Sequence, residues 1–185
     1  AWDDYNSYYS AERTAFPIYG NMVGFEFQKN KEFPVVSPAI FRDSLVSSKD
    51  SLISSRLRRD IVKNRFTFNN QEKDSDFSQV VPFKYSSEIL VNLLSDTLQK
   101  PISFIQNSAL NKKLNNTLYS IPSDSIYKRM LKVSDNFIAE QILLMAANKV
   151  SDTLKSDIAI DYMKENHLKD LPDEPMWYDG SGLSR

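Results

Sequence analysis

Met130-Leu131-Lys132-Val133-Ser134-Asp135-Asn136-Phe137-Ile138-Ala139-Glu140 is the stretch on which the fold turns. Apolar residues reach it from both sides at helical spacing. Ile126, Met130 and Leu131 lie upstream, and Phe137, Ile138, Ile142, Leu144 and Met145 lie downstream. Between them stand three short polar residues that favour helix starts over helix interiors. The pattern predicts two helices separated at Ser134-Asp135-Asn136, with Ser134 or Asp135 capping the second. The same residues fit Ser-x-Asn, a pattern that carries serine chemistry in some sites and arises by chance in a Ser-rich chain.

Working outward, Ile121-Pro122-Ser123-Asp124 reads as the start of the upstream helix, with Pro beside capping residues. A further helix is predicted over 156–166 from Ile158, Ile160, Tyr162 and Met163. Before these, Ser87 is expected to cap a helix whose Ile89, Leu90, Leu93, Leu94 and Leu98 share one face, with Pro101 ending it. Residues 102–105 read as a short strand and 107–116 as a polar loop. The first half is β-rich. Residues 16–27 and 33–46 are strand-like, the latter broken by Pro34 and Pro38, which suit edges and strand starts. Arg56, Arg58, Arg59, Lys63 and Arg65 then precede Glu72, Asp74 and Asp76, and read as a strand pair and turn with solvated charges. The expected class is α+β. The composition shifts near residue 84, which predicts a β-rich domain over 1–83 and a helical one over 84–185.

Composition narrows the chemistry. In 185 residues, 23 Lys+Arg against 24 Asp+Glu leave a net charge of −1, which argues against a general nucleic-acid binder. The longest apolar run, 142–147, is too short to span a bilayer. Ala1 opens no basic-then-apolar leader, so the expectation is a cytoplasmic protein or a trimmed chain. There is no Cys, which excludes thiolate nucleophiles and Cys-ligated metals, and a single His, His167, which excludes His-rich metal sites. Catalysis would therefore rest on Ser, Lys, Tyr, Asn or carboxylates.

Other segments carry two readings each. Ser125-Ile126-Tyr127-Lys128 fits Ser-x-x-Lys, in which a buried Lys can take the Ser proton. Ser125 is nine residues before Ser134, so on one continuous helix the two would face opposite ways; a surface position is the plainer expectation. Asp179-Gly180-Ser181-Gly182 reads either as a nest of N–H groups for an anion or as a structural turn. His167 suits a helix C-terminus, where a cation favours the dipole. Trp2, Tyr5, Tyr8 and Tyr9 read as packing, with a glycan-stacking surface as the alternative.

The flanks of Ser134-Asp135-Asn136 resemble the second active-site motif of low-molecular-mass class C penicillin-binding proteins, the D-alanyl-D-alanine carboxypeptidase/endopeptidases. Asp179-Gly180-Ser181-Gly182-Leu183-Ser184-Arg185 is similar to a second segment of that family. Trp2-Asp3-Asp4-Tyr5 and Tyr8-Tyr9-Ser10-Ala11 resemble the start of its inserted domain, and residues 85–94 its return helix. The resemblance implies a β-rich insertion followed by the helical side of a penicilloyl-serine transferase domain. It implies that Ser134 relays a proton to the leaving group, that Asn136 binds the substrate amide, and that Asp135 organises the loop. It implies peptidoglycan stem peptides as substrate, β-lactams as acylating inhibitors, a periplasmic or cell-envelope location, and no metal or organic cofactor.

The family's Ser-x-x-Lys nucleophile and its Lys-Thr-Gly strand have no counterpart at the matching places. Ser125-Lys128 is wrongly placed for the first, and no Lys-Thr-Gly occurs. The expectation is an internal segment of a larger enzyme, inactive alone. The alternative is a non-catalytic binding or scaffold module derived from the family. A serine esterase or β-lactamase of the same fold is a weaker fit, because such enzymes commonly place Tyr-x-Asn where this chain has Ser-Asp-Asn.

Overall fold

A computed structural model describes residues 4–29, 31–49, 57–69, 76–105, 119–173 and 175–180. The fold is α+β, as expected, and divides into two compact units, Ala1–Asn111 and Lys112–Arg185.

The first unit holds β1 (Met22–Phe27), β2 (Val35–Ser37), β3 (Leu45–Ser48), β4 (Leu57–Arg59), β5 (Phe66–Asn69), β6 (Phe77–Pro82) and α1 (Ser87–Leu98). Its strands form two three-stranded sheets, ordered β2-β1-β6 and β3-β5-β4. The first is antiparallel and places Phe25 opposite Val36 and Gln79. In the second, β5 runs parallel to β3 and antiparallel to β4. Alternation sends Val23 and Phe25 of β1, and Phe66 and Phe68 of β5, into the core. The rings meet there: Phe25 lies 5.1 Å from Phe66, and Phe27 lies 5.6 Å from Phe68. Phe41 adds contacts to Phe66 at 5.9 Å and Phe83 at 5.2 Å.

Several local expectations are corrected. Within residues 33–46 the strand is interrupted by a 3-10 turn, Ala39–Ser44, which follows Pro38 and carries Phe41 into the core. Tyr19–Asn21 is likewise a 3-10 turn with left-handed backbone. The buried Asn21 side chain fixes it by donating to the Glu12 carbonyl at 2.7 Å and Thr14 Oγ1 at 3.1 Å, and by accepting from the Ile18 N–H at 3.2 Å. Ser86, not Ser87, caps α1, its Oγ accepting the Ile89 N–H at 3.1 Å. The helix stops at Leu98, where Gln99 turns left-handed, and residues 101–105 form no strand. Residues 107–116 lie outside the described ones. α1 buries Leu93 in the β-rich core of the first unit.

The basic segment does form a strand pair and turn, but its charges are not all solvated. Arg59 is 6% exposed. Its Nε donates to the Pro82 carbonyl at 2.8 Å, its Nη1 donates to the Asp60 carbonyl at 2.7 Å, and its guanidinium lies 5.5 Å from the Tyr5 ring centroid. Burial lowers its pKa, and the nearby Glu12 opposes that. Tyr5 therefore packs as expected. Tyr8 and Tyr9 do not; they sit exposed on a 3-10 turn, edge to face at 5.5 Å. Trp2 lies outside the described residues, as do Arg56, Glu72 and Asp74.

The second unit contains α2 (Ser123–Val133), α3 (Asn136–Ser151) and α4 (Ser156–Asn166). Leu143 and Ala147 of α3 pack on Ala159 and Ile160 of α4, with Trp177 laid against them. His167 ends α4, its ring 5.8 Å from Tyr162. No described residue of α2 is buried, and Tyr127, Leu131 and Val133 are exposed.

Two outcomes are expected. Phe66→Ala empties the centre of the aromatic cluster and lowers stability by about 3–5 kcal/mol, measured by denaturant unfolding. Asp60 accepts the Val62 and Lys63 N–H groups at 2.7 and 2.9 Å, which holds its carboxyl below the usual carboxylate range. Its contribution is then fully present above the unfolded pKa of about 3.9 and is lost as pH falls through the lower folded value. An NMR titration should place its midpoint below that of an unfolded peptide.

Candidate active site

The site is built on a corner between two helices. α2 ends at Val133, and Ser134 takes the left-handed conformation, φ 51° and ψ 52°. A Cβ makes that region unfavourable, so the turn must be held by neighbours. The Met130 carbonyl holds it by accepting both the Ser134 N–H and, at 3.0 Å, the Asp135 N–H. Asp135 returns to extended backbone and caps α3. Its Oδ1 accepts the Ile138 N–H at 3.1 Å, and its carbonyl accepts the Ala139 N–H at 3.1 Å. Arg129 Nε lies 4.0 Å from Asp135 Oδ2 and is largely exposed, so that pair adds little. Asn136 is the first residue of α3.

The corner thus brings the three predicted residues together in distinct roles. Ser134 stands exposed at the tip, Asp135 has its carboxylate turned onto the helix start, and Asn136 is half-buried beside it. A helix running unbroken through 134–136 would spread these side chains around its circumference. The hydroxyl and the carboxamide are the groups left for chemistry, one able to pass a proton and the other able to donate and accept hydrogen bonds.

Ser125 and Lys128 are not brought into this site. Both are exposed on α2, Ser125 in its first turn, and no hydrogen bond joins them. Of the tail, Asp179 and Gly180 are described, while Ser181 and Gly182 lie outside the described residues. The Gly180 N–H donates to an internal anion, Glu140 Oε1 on α3. The Trp177 Nε1–H donates to the Asp179 carbonyl at 2.7 Å and ties the tail to the α3–α4 core. Sequence reasoning passed over Glu140 as a site residue. The signal was present: it is the only charged residue between Asp135 and Lys149, in a largely apolar stretch.

Among the described residues no three Asp, Glu or His side chains gather as a metal cluster, and no helix is long and apolar enough to cross a membrane.

No family model matches the sequence, and no curated protein matches it. The fold does find counterparts among solved structures. Penicillin binding protein 4 (dacB) from Haemophilus influenzae matches over 100% of this chain and 46% of its own length, with 22% identity and a TM-score of 0.66. The same protein complexed with a novel beta-lactam matches over 96% of this chain and 45% of its own, with 21% identity and a TM-score of 0.63. The chain therefore spans just under half the length of the structures it matches. In fold, it corresponds to a segment of that penicillin binding protein.

Proposed function

We propose that this chain is the part of a serine-type D-Ala-D-Ala carboxypeptidase/endopeptidase that carries the second active-site motif. The observation that supports it most is that Ser134-Asp135-Asn136 forms the corner between two helices, in a fold matched to a penicillin-binding protein. Left-handed caps also end α1 at Gln99 and α3 at Asp152; what sets this corner apart is that Asp135 and Asn136 begin a new helix directly after it, with the motif's hydroxyl and carboxamide on either side of the cap.

In this reading the nucleophilic Ser lies in polypeptide outside the chain and attacks the carbonyl of the D-Ala-D-Ala bond in a peptidoglycan stem peptide. Ser134 passes a proton toward the departing amine. Asn136 hydrogen-bonds the substrate amide and orients the acyl group. Asp135 fixes the corner without touching substrate. β-Lactams acylate the same nucleophile, no metal or organic cofactor takes part, and the protein acts in the cell envelope. Residues 1–83 belong to the inserted β-rich domain, and 84–185 to the helical side of the catalytic domain. The amphipathic α2, with no buried residue among those described, fits a helix covered by further polypeptide in the whole protein.

The test is intact-mass analysis after incubation with penicillin. This chain is expected to carry no adduct, and the protein expressed from the whole reading frame one covalent adduct. An unmodified whole protein would favour the non-catalytic module. In the whole protein, Ser134→Ala is expected to slow acylation by about 10²–10⁴-fold. Asn136→Ala is expected to slow it by about 10²-fold through lost orientation.

A further inference from the structure

We propose that Glu140 is a positioning residue for the Ser134–Asn136 corner, acting by clamping the Gly180 backbone onto the first turns of α3. Its catalytic consequence rests on the function proposed above; the clamp itself does not.

Glu140 is 6% exposed on a helix that buries Leu143, Leu144 and Ala147. A carboxylate is rarely buried unless it is engaged, because leaving water is costly. Here its Oε1 receives the Gly180 N–H, a charge-assisted bond to backbone. The partner chain segment comes as close as a glycine allows. A Cβ on Gly180 would lie 2.9 Å from the Ala139 carbonyl carbon, 3.0 Å from its oxygen and 3.0 Å from the Glu140 nitrogen. All three are backbone atoms of a helix, which cannot yield without losing hydrogen bonds. Trp177 fixes the other end of the segment, with its ring on the α3–α4 core and its N–H on the Asp179 carbonyl.

The place of this contact gives the clamp its meaning. Ala139, which meets Gly180, is also the residue whose N–H closes the first turn onto Asp135. Glu140 lies four residues after Asn136, on the same face of α3 and one turn along. The tail therefore bears on the turn that carries Asn136 and whose cap is Asp135. The clamp sets how far α3 is wound and rotated at its start, and through it where the Asn136 carboxamide stands.

Two measurements test this. In amide hydrogen exchange on this chain, the Gly180 N–H is expected to be protected, to stay partly protected in Glu140→Gln, whose amide oxygen still accepts, and to lose protection in Glu140→Ala. Unchanged protection in Glu140→Ala would overturn the clamp. In the protein expressed from the whole reading frame, penicillin acylation is resolved into binding and the acylation step, per folded molecule. Glu140→Ala and Gly180→Ala are each expected to slow the acylation step by about 10–100-fold with binding little changed. Glu140→Gln should restore most of the rate, and the double variant should be no slower than either single one. Acylation of Glu140→Ala at the wild-type rate per folded molecule would overturn the positioning role, and so would a loss accounted for entirely by a smaller folded fraction. If the wild-type whole protein is not acylated, the functional reading fails, while the exchange result still decides the clamp.

Discussion

The helical unit turns at Ser134, where α2 ends in the left-handed region and α3 begins two residues later. Holding a side chain with a Cβ there costs on the order of 1–3 kcal/mol. The two N–H groups that converge on the Met130 carbonyl and the Asp135 cap offset it, the cap contributing about 1 kcal/mol. The gain is geometric. α2 stops and α3 starts within two residues, so a hydroxyl and a carboxamide are presented from one rigid corner rather than from a loop. Rigid elements place reacting groups more closely than mobile segments do.

Each unit also buries a charged side chain among its described residues. Glu140 receives Gly180 in the helical unit. In the β-rich unit, Arg59 donates to the Pro82 and Asp60 carbonyls beneath Tyr5, and so joins β4 to the end of β6. Burying such a group is costly, and hydrogen bonds offset part of that cost. Both bond to backbone atoms. That ties a side chain to a chain path, independent of which residue type lies on that path.

The match to penicillin binding protein 4 rests on fold at 21–22% identity, and a fold alone does not carry an activity. What supports the proposed chemistry is the local coincidence of motif and geometry. Ser134, Asp135 and Asn136 occupy three different backbone states in succession: left-handed, extended and helical. Only the middle one is used up by capping.

Much of this was legible in the sequence. The 3.6-residue periodicity around Ile126, Met130, Ile138 and Ile142, and the capping chemistry of Ser, Asp and Pro, are local properties that predict where α2, α3 and α4 lie. Alternation at Val23, Phe25 and Phe27 likewise marks a strand. Other features depend on residues far apart in the chain. The burial of Arg59 requires the Pro82 carbonyl, the turn at Asn21 requires Glu12 and Thr14, and the seating of α1 requires Leu93 to find the β core. The bond from the Gly180 N–H to Glu140 joins residues forty apart. Periodicity shows which face of a helix is apolar. Which backbone atom a buried charge will meet is set by chain paths that exist only once the chain has folded.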